Sequence, residues 1–409
     1  MKILIIGGGG REHAIAWRLA KEGHKIYAAP GNPGIAEIGT NLHATGLDAA
    51  KAVDPDLTVV GPEAPLAQGI VDQFRAAGLP IVGPTRELAR LEASKIYAKV
   101  LMQRLGVPTA RFVLVENVEA GIEALSQFHP PVAIKADGLA TGKGVIIART
   151  IEEAEAAVRT LGPRLVIEEF LSGEEASFIV LSDGRRFTAF DVSQDHKTLG
   201  EGDTGPNTGG MGAYSDGRIL GSSEVQRVID TIIEPVISTT GFTGFLYAGL
   251  MMTSSGPRVL EFNVRLGDPE AQAILHRLDD STDFAGALLQ SATGSLREQL
   301  RSKFDPSVCV VLAASGYPGK PRTGDPIQGI SECRAQVFQA GTRIGSRGIE
   351  TAGGRVLGIT ASGRDLSSAI SNAYAGVEAI HFDNMQYRRD IGRKGLKRWP
   401  PATIEATGT

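Results

Sequence analysis

Ile134-Lys135-Ala136-Asp137-Gly138-Leu139-Ala140-Thr141-Gly142-Lys143-Gly144-Val145-Ile146-Ile147 is the stretch around which the chain is organised. Val132 and Ile134 alternate with Ala133 and Lys135, the period of a half-buried strand, and Val145 to Ile147 begin a second strand. The loop between them holds Gly138, Gly142 and Gly144 and is flanked by Lys135 and Lys143. Glycines let backbone N–H groups crowd around an anion, and lysines supply the opposing charge, so the loop reads as a phosphate cradle. Two known phosphate loops do not fit. A Walker A loop, G-x-x-x-x-G-K-S/T, leads into a helix. Here the glycines are one residue closer, Gly144 takes the place of the hydroxyl, and a strand follows. The protein-kinase pattern fails for want of a His-Arg-Asp or Asp-Phe-Gly element downstream. A plain glycine-rich hairpin would leave both lysines unexplained, so nucleotide binding is the expectation.

At 409 residues the chain exceeds what a single core accommodates and should divide into about three domains. Its 51 glycines are well above the usual share, so many loops must turn sharply or let a ligand approach backbone. A net charge of −4 argues against a nucleic-acid partner, which would require a basic excess. Cys309 and Cys333 stand far apart and support neither a disulfide framework nor a thiolate metal cage. The longest apolar run, Val308 to Ala314, is far too short to span a bilayer, and Met1 leads directly into a strand without a signal segment. A soluble cytoplasmic protein with no membrane partner is expected.

Lys2 to Ile6, Gly7 to Gly10 and Arg11 to Gly23 read as strand, glycine turn and helix. That is the opening of a βαβ unit, whose helix N-terminus can hold a phosphate. Glu12 occupies the third glycine position of the dinucleotide fingerprint, and no acidic residue follows the second strand, Lys25 to Ala28. A small phosphorylated ligand therefore fits better than NAD or FAD. Further strands are expected at Leu57 to Val60 and Ile81 to Val82. The loops Pro30-Gly31-Asn32 and Gly61-Pro62-Glu63 fall at strand C-termini, where open parallel sheets bind ligands or simply turn.

A helix around Lys95 to Leu105 precedes a small α+β unit with the Lys135 loop, a helix from Glu152 to Arg159 and a strand from Leu165 to Phe170. The exit of that strand, Glu168 to Glu175, offers backbone groups to an adenine ring and carboxylates to ribose hydroxyls. Ser193 to Lys197 and Asp203 to Gly212 lack periodicity, are dense in glycine, and read as an ordered binding loop. In Val259 to Arg265 a period of two puts Glu261, Asn263 and Arg265 on one face, with Leu260 and Phe262 on the other. Carboxylate and amide oxygens so placed suit a hard Mg²⁺ or Mn²⁺ ion, and the arginine suits an anion. Asp365 should cap an amphipathic helix running to Ile380. Nothing in the last hundred or so residues reads as catalytic, and Arg388, Arg389, Arg393, Lys394, Lys397 and Arg398 read as a solvated basic tail.

Assembled in order, these segments resemble the ATP-grasp superfamily. The likeness rests on Gly9-Gly10-Arg11-Glu12-His13-Ala14, Val60 to Leu66, the Lys135 loop, Ile167 to Leu171, Ser193 to Lys197, Asp203 to Tyr214 and Glu261 to Glu270, and it runs nearly the full length. It implies an α/β chain with an ATP-grasp fold. An N-terminal Rossmann-like parallel-sheet domain would span 1–97 and a central catalytic domain 98–117 and 183–304. A small lid domain would span 118–182 and a small C-terminal α+β domain 305–409. The implied activity lies in de novo purine synthesis. ATP phosphorylates the carboxylate of glycine, and the amine of 5-phosphoribosylamine displaces phosphate from the glycyl phosphate, giving glycinamide ribonucleotide.

The resemblance also implies roles. Arg265 and Lys135 would be catalytic. Lys95, Lys135, Gly142, Lys143, Gly144, Glu168, Phe170, Leu171 and Glu175 would hold ATP. Gly9, Gly10, Asn32, Glu63, Pro65, Asp195, Lys197, Asn207, Gly209, Gly210, Arg265, Gly267 and Asp268 would hold the other substrates, and Glu261 and Asn263 a Mg²⁺ or Mn²⁺ ion. A monomer is expected, open to transient contact with neighbouring purine-pathway enzymes. Relatives often carry Asn where this chain has Gly8, and a longer glycine loop where it has Thr160 to Arg164, which implies a reduced lid. The competing readings are the same fold with another acceptor, and a nucleotide sensor without turnover. A sensor needs no metal–anion cluster such as the Glu261–Arg265 face.

Overall fold

The computed structural model describes residues 1–139 and 144–398, so Gly142 and Lys143 lie outside the described residues. β1 (Lys2–Gly7), β2 (Lys25–Pro30), β3 (Thr40–Asn41), β4 (Leu57–Val60) and β5 (Ile81–Val82) form a parallel sheet in the order β3-β2-β1-β4-β5. β1 is apolar without alternation because both its faces are covered. Ile3 and Ile5 enter one core, Leu4 and Ile6 another. The winding reverses between β1 and β4, so the turn after β1 and the loop after β4 open on the same crevice.

A second sheet is antiparallel: β6 (Phe112–Val115), β7 (Val132–Ala136), β8 (Val145–Ala148) and β9 (Leu165–Glu169), in the order β6-β9-β7-β8. Residues 112–115 thus lie in this sheet, not in the central one. Its strands alternate as the sequence requires. Val132, Ile134, Leu165 and Ile167 pack with Val158 and Ala154 of the helix Ile151–Leu161 in a core of their own. Lys135 and Glu168 therefore fall on the opposite face, turned toward the rest of the molecule.

The third sheet joins the central and C-terminal parts of the chain. It is built from β10 (Glu174–Asp183), β11 (Phe187–Ala189), β12 (Ser193–Asp195) and, after a ribbon of β13 (Thr198–Gly200) and β14 (Thr204–Asn207), β15 (Gly212–Ser215). β16 (Thr243–Thr253) and β17 (Gly256–Asn263) complete the central part. β18 (Ser307–Ala313), β19 (Gln336–Gln339) and, after a ribbon of β20 (Thr342–Gly345) and β21 (Gly348–Thr351), β22 (Arg355–Ser362) come from the C-terminal part. The order is β17-β16-β10-β12-β15-β18-β22-β19, with β11 beside β10. The seam is β15 against β18, where Gly212 faces Val310 and Ser215 faces Ser307. The helix Leu366–Glu378 covers β18 and β22, and Asp365 caps it by accepting from the Ser368 N–H at 2.7 Å, as its sequence predicts.

The basic tail is not solvated throughout. Arg388 is buried at 1% exposure and donates to the Thr198 carbonyl and hydroxyl and to Asp203 and Asp390. Lys394 adds a 2.6 Å ion pair to Asp203. The C-terminal segment therefore holds the β13–β14 ribbon, and charge density alone could not reveal a partner so distant in sequence. Among the described residues no helix is long and apolar enough to cross a membrane.

Candidate active site

The nucleotide end lies between the second sheet and the start of the helix Lys95–Leu105. Ser94 caps that helix by accepting from the Tyr97 N–H, and its own hydroxyl donates to Asp137 at 2.9 Å, which fixes Lys95 against the glycine loop. Lys95 Nζ donates to the Gly138 carbonyl at 3.0 Å. Burial pushes its pKa down, and Glu261 acts against that shift. Lys135 Nζ donates to the Leu260 carbonyl at 3.2 Å and lies 3.0 Å from Glu168 Oε2. That carbonyl is available because Leu260 bulges: Val259 pairs with Leu250 and Glu261 with Gly249. Glu168 is buried, and its other oxygen lies 3.0 Å from Lys99 Nζ. Its carboxylate is thus engaged by two lysines at the inner end of the strand exit. Glu169 accepts from the Arg111 N–H, Phe170 is 46% exposed, and Leu171 and Glu175 are half-buried beyond it. The Gly144 carbonyl accepts from the Ala136 N–H, closing the base of the glycine loop.

Across the cleft, Glu261 faces Lys197, whose Nζ lies 3.6 Å from Glu261 and 3.5 Å from Glu175. Burial alone would raise the Glu261 pKa, but Lys197, Lys135, Lys95 and Arg265 together hold it below the usual carboxylate range. Glu175 chiefly drives the Lys197 ammonium well above its usual value. Asn263 is buried, and its Oδ1 accepts from Arg265 Nη2 at 3.3 Å. Arg265 spans domains: Nη2 lies 2.6 Å from Glu92, and Nε donates to Glu63 at 3.3 Å in the helix that also holds half-buried Pro65. Burial works against its charge, and Glu92 and Glu63 more than offset that, raising its pKa. Among the described residues no three His, Cys, Asp or Glu side chains gather as a metal cage. An ionised Glu261 beside the Asn263 amide oxygen instead fits a cation that takes its remaining ligands from nucleotide phosphates and water.

The far end of the cleft is the turn after β1. Gly9 precedes the helix Gly10–Lys21, and the Gly9 N–H donates to Glu12 at 2.5 Å. A Cβ at Gly8 would collide with the Gly31 carbonyl, so this chain's departure from Asn is matched by a closed turn. A Cβ at Gly9 or at Gly10 would stand 3.7 Å from an Asp268 oxygen, which places the aspartate over the turn. Asp268 accepts from Gln272 at 2.8 Å, and Arg355 Nη2 lies 3.3 Å from its Oδ2. Burial would raise its pKa, and Arg355 and Arg11 hold it below the usual range. Gly267 has no room for a side chain, because a Cβ would meet Glu270. Asn32 is wholly engaged, donating to the Gly8 and Gln339 carbonyls and accepting from the Ile35 N–H, so it braces the turn.

Arg355 also donates to the Gly209 and Asp268 carbonyls, and Tyr317 accepts from the Gly209 N–H at 2.9 Å. Gly210 packs against Asp195, whose carboxyl is held well above the usual range by burial and, next, by Glu270. Asn207 is exposed at the end of β14. Arg355, Tyr317 and Lys99 join the candidate site and were missed by sequence reasoning. For Lys99 a signal existed: it lies one helical turn beyond Lys95, on the same face.

A cleft with lysines on a small antiparallel sheet and the helix beside it, facing carboxylate, amide and arginine at the edge of a larger sheet, defines an ATP-grasp enzyme. The fold agrees. The biotin carboxylase domain of Hydrogenobacter thermophilus 2-oxoglutarate carboxylase superposes with a TM-score of 0.72 at 16% identity, covering 94% of this chain and 91% of that one. Family models for phosphoribosylglycinamide synthetase match in sequence order: the N domain at residues 1–92, the ATP-grasp (A) domain at 93–271 and the C domain at 307–394. The phosphoribosylamine–glycine ligase of Escherichia coli is 46% identical, covering 97% of this chain and 99% of that protein, and that of Xylella fastidiosa is 46% identical over all of both. The crystal structure of phosphoribosylamine–glycine ligase from Thermotoga maritima has a TM-score of 0.85 at 37% identity, covering 96% of this chain and 100% of that one. The chain belongs to the phosphoribosylglycinamide synthetase family.

Proposed function

We propose that the chain is an ATP-dependent carbon–nitrogen ligase that joins glycine to 5-phosphoribosylamine in purine biosynthesis. The γ-phosphoryl group of ATP passes to the glycine carboxylate, giving ADP and glycyl phosphate. The amine then attacks the acyl carbon, and phosphate leaves with formation of the amide of glycinamide ribonucleotide. Such transfers need positioning and charge neutralisation more than a covalent nucleophile. The observation that carries the reading is the convergence of Lys95, Lys135, Lys197, Glu261 and Arg265 on one cleft.

In this reading Lys95 and Lys135 take the ATP phosphates, and Gly142, Lys143 and Gly144 contribute to the same task. The strand exit beyond Glu168, through Phe170 and Leu171 to Glu175, takes the nucleoside, while the buried Glu168 carboxylate acts on the ATP site through Lys99 and Lys135. Arg265 faces the transferring anion. Gly10 presents its N–H at the helix N-terminus to the ribose phosphate, with Gly9, whose own N–H is held by Glu12, shaping the turn, while Asp195, Lys197, Gly209, Gly210 and Asp268 enclose the reacting ends. Glu261 and Asn263 would hold Mg²⁺ or Mn²⁺, which when bound neutralises charge on the nucleotide phosphates. Residues 1–97 serve the ribose phosphate, the small sheet from 112 to 169 with its helices forms the lid, the rest of 98–304 forms the catalytic body, and the described part of the C-terminal domain, 305–398, closes the far side. We read it as a cytoplasmic monomer. The test is ADP release with ATP, Mg²⁺, glycine and freshly generated phosphoribosylamine, omitting each in turn. Full dependence on both glycine and the amine is expected, and Lys135→Met should abolish it. ADP release indifferent to glycine would overturn the reading.

A further inference from the structure

We propose that Lys99 sets the charge of the nucleotide cleft: by engaging one oxygen of Glu168, it leaves Lys135 with positive charge to direct at the ATP phosphates. The inference rests on reading this cleft as the ATP site. Lys99 follows Lys95 by one turn on the helix Lys95–Leu105, and its side chain is 3% exposed. Its Nζ lies 3.0 Å from Glu168 Oε1 and donates to the Thr109 hydroxyl at 2.6 Å, which in turn donates to the Val259 carbonyl. Lys135 Nζ lies 3.0 Å from the other oxygen, Glu168 Oε2. One buried carboxylate is therefore shared between two ammonium groups.

The arithmetic of charge decides what this sharing does. Lys135 and Glu168 alone are a neutral pair and offer a polyanion little. Lys99 makes the trio net positive, and Lys99 is held back from the phosphates by its own contacts, so the surplus is presented through Lys135. The other charged groups around the trio are Lys95 on the same helix, Asp137 at the end of the Lys135 strand, Glu261 across the cleft, and Glu169 beyond Glu168. A lysine this deep loses its proton easily. Burial, opposed mainly by Glu168, lowers its pKa to about 8. Its charge is thus present at neutral pH and lost as pH rises through that value.

The test is calorimetric titration of ATP with Mg²⁺, in the absence of glycine, for wild type, Lys99→Met, Lys99→Arg and Lys99→Met with Glu168→Gln, between about pH 7 and about pH 10. Lys99→Met should weaken ATP binding about tenfold near neutrality, the weight of one nearby unit charge in a partly buried site. Adding Glu168→Gln should recover most of that loss, because Lys135 is again unshared. Wild-type affinity should fall as pH passes about 8, while Lys99→Arg, which cannot deprotonate, should hold its affinity. A merely structural lysine would give neither the rescue nor the difference in pH profile. The proposal is overturned if the folded double variant binds no better than Lys99→Met, or if wild type and Lys99→Arg share one pH profile. Wild type failing to bind ATP would instead overturn the reading of the cleft itself.

Discussion

Replacing Arg265 by lysine preserves its charge and removes its shape. The guanidinium serves Glu92 at 2.6 Å and Glu63, the Leu266 carbonyl and Asn263 at 3.3 Å each, contacts that point in several directions. One ammonium on a flexible stem can keep the pair with Glu92 but not the rest. Glu63, whose side chain is 32% exposed, can turn to water, so its release costs little. The remaining losses come to about 2 kcal/mol of stability, the weight of a charge-assisted hydrogen bond. Turnover should suffer more, because a fixed donor facing a transferring anion contributes about 3 kcal/mol, or roughly a hundredfold in rate.

Arg265→Met is harsher, since it strands buried Glu92 without a cation, at about 3–5 kcal/mol. Burial already raises the Glu92 pKa, with Arg265 the main group holding it down. The folded state of that variant therefore favours the protonated acid, so its deficit should be smallest at low pH and grow as pH rises through the carboxylate range. Adding Glu92→Gln should return most of the stability and none of the rate. Urea unfolding and ADP release, measured on the same preparations, separate the two effects. Near wild-type turnover by Arg265→Lys would refute the argument from fork geometry, and full activity in Arg265→Met with Glu92→Gln would remove Arg265 from the chemistry altogether.

Glu261→Gln keeps shape and hydrogen-bonding reach, so melting should be little changed while turnover collapses, with partial recovery at higher Mg²⁺ or Mn²⁺; normal activity at low Mg²⁺ would remove Glu261 from the metal. Gly10→Val pushes a side chain against Gln272, 2.6 Å from the new Cβ, beside Asp268. The KM for phosphoribosylamine should rise roughly tenfold with that for ATP nearly constant, since the disturbed Gly10 N–H is the proposed phosphate donor; equal rises in both would indicate a general disturbance. His13 accepts from the Gln339 N–H, and burial lowers its pKa to about 4. Its neutral form therefore supports the fold above about pH 6.5 and is progressively penalised as pH falls toward 4, by up to about 3 kcal/mol. In His13→Gln the acid-induced loss of stability in that window should shrink by a comparable amount in denaturant titrations.

Much of this was legible because local period and composition coincide with long-range packing. The alternation of Val132, Ile134 and Lys135 puts the lysine on the cleft face, and β7 and β9 keep it there. The spacing of Glu261 and Asn263 survives the bulge at Leu260 because the bulge precedes both. What sequence could not supply was partnership between distant segments. Arg355 opens a β-strand with no local mark of its role, and only the fold brings it to Asp268 and Gly209. Arg388 lies in a run of cations that reads as solvated until the β13–β14 ribbon is placed over it. Asn32 sits where a ligand loop is expected and spends its amide on backbone instead.

The seam between β15 and β18 has a consequence for how the chain is made. Gly209 and Gly210 lie just ahead of β15, and β15 is an interior strand only because β18, some hundred residues later in synthesis, hydrogen-bonds along it. Until the ribosome has delivered Ser307 to Ala313, β15 is a sheet edge with unpaired N–H and carbonyl groups, an open template for strands of other chains. A product ending before Ser307 should therefore scatter light as an aggregate instead of persisting as a dispersed fragment with a half-built site. The late strand is at once the wall of the proposed substrate loop and the cover that closes a sticky edge.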